Sequence, residues 1–287
     1  MKKLTLFLLA IFLILVMSGC GAGPSPTATS VPPTPTPVPP MPTPIPTDTP
    51  LPPTATAAAP EPGAEWDYVA LGDSVTWGMV SRYAAMLEQD LGVKVRVHDR
   101  TRGGDHSSKL LERLRTDSEL RRQLGEAEVI TFEIPWNVFE RPIITFEIGS
   151  PSDCGGADNQ DCLREALETY EADTDAIIAE IVSLRSPSEA LIRTQDTYQF
   201  RVRESKEAGT FEVINRYWRD ANAHVIEVAT RYHIPVARVY DAFMGINGTE
   251  DPRDKGLMVV DGFHTTSEGA ALMAELFREL GYEPLGP

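Results

Sequence analysis

The stretch Val69-Ala70-Leu71-Gly72-Asp73-Ser74-Val75-Thr76-Trp77-Gly78 decides how the rest of the chain is read. A short apolar run, Tyr68 to Leu71, breaks into Gly-Asp-Ser, and a helical pattern follows. This is the pattern of a strand, a tight turn and a helix start. It lifts the Ser74 hydroxyl above the end of a sheet, where N–H groups and the helix dipole face outward. A serine or aspartate at such a turn has two readings. It caps a helix, or the serine is a nucleophile, which needs a base because its own pKa is far too high. The tripeptide alone does not choose between them.

Four further segments read as strands: Val93 to His98, Val129 to Ile134, Ala190 to Thr194 and Ile234 to Tyr240. Helical periodicity lies between and after them. Leu163, Ala166, Leu167, Tyr170, Ile177, Ile178, Ile181 and Leu184 recur at three- and four-residue spacing, as do Leu272, Met273, Leu276, Phe277 and Leu280. Thr265 and Glu268 predict a capping box at the start of the last helix. Alternating strands and helices predict an α/β domain with a five-stranded, mostly parallel sheet covered on both faces. Ligands of such sheets bind at the carboxyl ends of the strands.

The chain has 5 histidines. His264 stands three residues after Asp261, in Asp261-Gly262-Phe263-His264, just before the last helix. At that spacing the carboxylate can accept from one ring nitrogen while the other ring nitrogen faces a nucleophile. The pairing fixes the tautomer and stabilises an imidazolium. The competing readings are a surface histidine at a helix start and a metal ligand, and the second lacks a third ligand.

A Gly-Asp-Ser turn at one end of the domain and an Asp-x-x-His at the other resemble the GDSL/SGNH hydrolases, from about Tyr68 to Leu280. The resemblance implies a flavodoxin-like three-layer α/β/α sandwich. It implies Ser74 as nucleophile and first oxyanion donor, His264 as general base and Asp261 as its orienting acid. It implies two more donors to the oxyanion: a glycine N–H, with Gly104 the better fit and Gly103 the runner-up, and the side-chain amide of Asn137. A backbone N–H approaches an oxyanion best with no Cβ in the way. The block Pro135-Trp136-Asn137-Val138 departs from the family's Gly-x-Asn-Asp at its first and last positions. Acyl transfer by such residues requires no metal and no organic cofactor.

A long connection leaves the third strand between Asn137 and Leu163. Long loops at this end of a sheet are either lids and specificity walls or stapled surface loops. Trp77, Trp136 and Phe139 are the candidate pocket walls. Cys154 and Cys162, eight positions apart, are expected to pair as a disulfide in an oxidising compartment, and two cysteines are too few for a structural zinc site.

Lys2 and Lys3 precede an apolar run that ends at Met17-Ser18-Gly19-Cys20. The run is short for a membrane span and suits an export signal. The residues before Cys20 resemble a bacterial lipobox, which implies lipidation of Cys20 and a membrane anchor. Residues 21–63 hold most of the chain's 24 prolines and form a Pro/Thr-rich linker with too few large apolar residues for a core. Residues 64–287 form the expected catalytic domain.

The net charge of −16 belongs to that domain, because the two lysines of the signal balance the two acids of the linker. This argues against nucleic acid or anionic lipid as a direct partner. The expectation is a monomeric, extracytoplasmic serine esterase acting on a small-molecule, glycan or lipid ester. The rival expectations are a surface glycan- or peptide-binding protein on the same scaffold, and an acyltransferase to sugars.

Overall fold

The computed structural model describes residues 60–150 and 152–286. The expected export signal, Cys20 and the expected linker up to residue 59 lie outside the described residues. Five strands form one sheet: β1 (Glu65–Leu71), β2 (Lys94–Asp99), β3 (Val129–Phe132), β4 (Leu191–Gln195) and β5 (Val236–Ala237). Their order is β2-β1-β3-β4-β5, and every neighbouring pair is parallel. The interior strands β3 and β4 are buried along their whole length. Burial on both faces is what a parallel sheet covered by helices requires, and in β4 it takes in Arg193 and Gln195 as well as Leu191 and Ile192. Edge strand β2 is largely exposed and carries Lys94, Arg96, His98 and Asp99.

The helices are α1 (Met79–Leu91), α2 (Ser107–Thr116), α3 (Ser118–Glu126), α4 (Glu140–Ile148), α5 (Asp161–Leu184), α6 (Val202–Glu207), α7 (Phe211–Arg231), α8 (Val239–Met244) and α9 (Ser267–Glu279). On one side α1 packs with α9: Tyr83 of α1 meets Tyr68 of β1 edge-on at 5.9 Å and Phe277 of α9 at 5.6 Å. A second helical layer is built around α5, which packs against α2, α3 and α7. Its expected apolar stripe is the buried one, from Leu163 to Ile181. The three-layer sandwich expected from the sequence is therefore present.

Two local expectations need correction. The fifth strand is only two residues long, and Val239 and Tyr240 already belong to α8. Buried Asp196, just beyond β4, accepts from the Tyr240 N–H at 2.7 Å and from Arg238 Nε at 2.9 Å, which draws the chain out of the sheet. The cap of α9 is Thr266, not Thr265: the Thr266 hydroxyl accepts from the Gly269 N–H at 3.1 Å. Thr265 is instead bridged to Met258, which fixes the loop before the helix. The sequence reading also gave no helix to the connection after Asn137, where α4 forms.

Candidate active site

β1 ends at Leu71, and Gly72 turns the chain with φ +136°, a conformation open to glycine alone. Asp73, almost fully buried, accepts from the Val75 N–H at 2.8 Å and caps a single 3-10 turn, Ser74–Thr76. Ser74 is thus the first residue of that turn, at the carboxyl end of the sheet.

His264 arrives from the other end of the chain on a tightly held loop. The Val259 N–H donates to the His264 carbonyl at 2.9 Å, and the Tyr198 hydroxyl donates to the Phe263 carbonyl at 2.8 Å. Beneath the loop, buried Arg253 is held by Asp251 and Glu204, with its Nη1 2.8 Å from Glu204 Oε1. Gly269 of α9 lies directly against the Leu257 carbonyl, with no room for a Cβ. The loop therefore cannot be repositioned without disturbing helix and clamp together.

Across these elements His264 Nε2 lies 3.0 Å from Ser74 Oγ, and His264 Nδ1 lies 2.8 Å from Asp261 Oδ2. The other Asp261 oxygen accepts from the N–H groups of Phe263 (2.8 Å) and His264 (3.0 Å). Partial burial works to raise the Asp261 pKa. The hydrogen bonds from the His264 ring and from these two N–H groups outweigh it and hold the carboxyl below its ordinary value. The site is open: the side chains of His264 and Asp261 are 46% and 43% exposed.

Trp77 lies beside the imidazole, with ring centroids 6.4 Å apart and planes within 14°. Its Nε1 donates to Thr101 Oγ1 at 3.2 Å, and 53% of the residue is exposed. It is the one expected pocket wall that the structure keeps at the site. Trp136 and Phe139, expected at the pocket, are both buried in the core instead. Trp136 stacks on Phe200 at 4.5 Å and packs against Trp218 and Phe263. Phe139 packs between Tyr170 and Trp218. Their place beside Asn137 in sequence says nothing about which way the side chains face.

The two loop glycines play different parts. Gly104 has φ +77°, and an added Cβ would meet nothing within 4 Å; its glycine is required by conformation. Gly103 is the crowded one. A Cβ there would come within 2.9 Å of the Trp77 ring and 3.4 Å of Ser74 Cβ. Asn137 reaches the site, but its amide donates to Asp73 Oδ2 at 2.5 Å and to the Asp105 carbonyl at 2.7 Å. It braces the Ser74 turn against the glycine loop, and giving an N–H to any other group means releasing one of these bonds.

The long connection carries α4 and a disulfide between Cys154 and Cys162. It touches the histidine loop indirectly: Glu147 of α4 pairs with Arg201, whose N–H donates to the Gly262 carbonyl at 3.2 Å. Among the described residues no group of three or more acidic, histidine or cysteine side chains is placed to hold a metal, and no helix is long and apolar enough to cross a membrane.

No family model matches the chain. Solved structures do. A lipase from a goat rumen metagenome superposes with a TM-score of 0.62 at 23% identity, covering 77% of this chain and 99% of that one. An acetyl xylan esterase of Geobacillus stearothermophilus gives 0.51 at 17% identity, covering 77% and 97%. The fold is that of the SGNH hydrolases. Among curated proteins, a spore germination lipase of Bacillus licheniformis is 23% identical over 226 residues, 75% of this chain and 96% of that protein.

Sequence reasoning missed two contributors to this site. One is the Arg253 clamp, whose partner Glu204 is 49 residues away. The other is Glu133, fully buried behind Asp73 with its Oε2 3.1 Å from the Asp73 N–H. A signal for the second was present, since a lone acid stands at the end of an apolar strand.

Proposed function

We propose that the protein is a serine ester hydrolase in which Ser74, His264 and Asp261 carry out acyl transfer. The observation that carries this reading is the unbroken line Asp261–His264–Ser74, at 2.8 and 3.0 Å, built from opposite ends of the domain. His264 Nε2 takes the Ser74 proton as the oxygen attacks an ester carbonyl. The Ser74 and Gly104 N–H groups hold the oxyanion, and Asn137 adds its amide by letting go of Asp105 or Asp73. His264 then protonates the leaving alcohol, and water repeats the sequence to release the acid. Asp261 holds the ring and offsets the charge it gains. The lipases and the acetyl xylan esterase that share the fold support ester hydrolysis as the reaction.

The location belongs to the same proposal: Cys20 is lipidated and the domain works outside the cytoplasm on the linker. Incorporation of labelled fatty acid into the protein, lost in Cys20→Ala, tests this. Hydrolysis of short p-nitrophenyl esters by the protein beside Ser74→Ala tests the chemistry. Turnover by the first and none by the second is expected. Equal rates, or no turnover of any chain length by either, would leave the fold with a binding role.

A further inference from the structure

Glu133 has no part in the acyl-transfer scheme, yet it touches the nucleophile turn. Its side chain is buried, with Oε2 accepting from the Asp73 N–H at 3.1 Å and Oε1 sealed from solvent without a protein partner. Gly72 makes room for it: a Cβ there would lie 2.9 Å from Oε2. Asp73, equally buried, accepts from the Val75 N–H at 2.8 Å and from Asn137 Nδ2 at 2.5 Å. Two neighbouring carboxyl groups in so dry a place cannot both be charged.

The donor count says which one is the ion. Asp73 has two N–H donors and Glu133 has one. The titratable groups facing Glu133 are Asp73, Tyr170 of α5 and Tyr198 after β4, none of them a cation. Asp73 in turn faces Asp105 and His264. Burial, with repulsion from Asp73, pushes the Glu133 carboxyl well above the carboxylate range. An oxyanion forming at Ser74 is also better served by a neutral neighbour than by a second negative charge.

We propose that Glu133 is a positioning residue that works as a neutral carboxylic acid: it pins the Asp73 backbone, and so the Ser74 turn, without adding charge beside Asp73. Its consequence for turnover rests on the esterase reading, whereas its protonation does not. Because the folded group keeps its proton, the stability it contributes is complete below its ordinary value of 4.5 and drains away as pH rises towards the folded value. A glutamine keeps the shape and the acceptor and cannot ionise.

The test uses the unaltered protein, Glu133→Gln and Glu133→Leu, each followed by urea denaturation and by p-nitrophenyl ester turnover from pH 5 to 9. The folding constant of Glu133→Gln should gain on the unaltered protein by about tenfold per pH unit until Glu133 ionises. Its turnover at pH 7 should stay within about threefold, and its alkaline limb should be flatter. Glu133→Leu, which strips the Asp73 N–H of its acceptor, should lose at least about tenfold in kcat with KM little moved. A Glu133→Gln protein that is weakened by the same factor at every pH overturns the proposal, as does full turnover by Glu133→Leu. If Glu133→Leu does not fold, the pH dependence of Glu133→Gln decides alone. Failure of the esterase reading looks different, as equal rates for the unaltered protein and Ser74→Ala, and leaves the denaturation result standing.

Discussion

Replacing Asp261 by asparagine probes how much a half-exposed carboxylate can do for a catalytic histidine. Asparagine preserves the size of the side chain and can still accept from the Phe263 and His264 N–H groups, so the loop should hold its shape. It removes the charge 2.8 Å from His264 Nδ1 and turns an amide N–H toward that nitrogen, which favours the tautomer that cannot take the Ser74 proton. Coulomb's law gives about 1.5 kcal/mol for that pair at the dielectric of water and about 6 kcal/mol at an effective value of 20. With both side chains nearly half exposed, the lower part of that range applies, about 2–4 kcal/mol. The kcat of Asp261→Asn on a p-nitrophenyl ester should fall by at least about a hundredfold, the lost charge supplying that much and the reversed tautomer the rest, and the charge part of the loss should shrink in high salt, which screens exposed pairs. Steady-state kinetics at pH 8 over a range of salt concentration measures both. A loss of less than threefold would show that Asp261 does not face the imidazole during turnover.

Gly103→Ala should displace the Trp77 ring, since the new Cβ would lie within 2.9 Å of it; altered tryptophan emission together with a raised KM checks this. Breaking the Cys154–Cys162 bond with Cys154→Ser plus Cys162→Ser should cost about 2–3 kcal/mol in urea denaturation, the value for so short a loop. Asp67 is held down to about 2, foremost by its hydrogen bond with Arg96. It contributes stability above its ordinary value of 3.8 that disappears as pH falls through about 2, so Asp67→Asn should flatten the acid limb of the stability curve in that window.

The strand-turn-helix passage around Ser74 and the Asp261-x-x-His264 spacing were legible because both are local: a few adjacent residues set each geometry. That there are five strands in a mostly parallel sheet followed from short β-like segments alternating with helical periodicity. What could not be read was side-chain direction where the backbone leaves regular structure. Trp136 and Phe139 sit beside Asn137 in sequence, yet they turn into an aromatic cluster with Trp218, which belongs to a helix 80 residues away. The end of β5 was equally opaque, because Asp196, just beyond β4, decides it. Asn137 was found by its place in the motif. That its amide would be shared between Asp73 and the Asp105 carbonyl depends on a loop whose path only the folded chain reveals.

The two margins of the sheet are both closed to further strands. One is β2, bristling with ionic side chains that fasten back onto its neighbour, as Arg96 does to Asp67. The other is β5, which stops after two residues and bends away. A second copy would find no long, bare, uncharged ladder on which to lay a strand of its own. Margins of this kind keep neighbouring copies from knitting into fibres strand by strand.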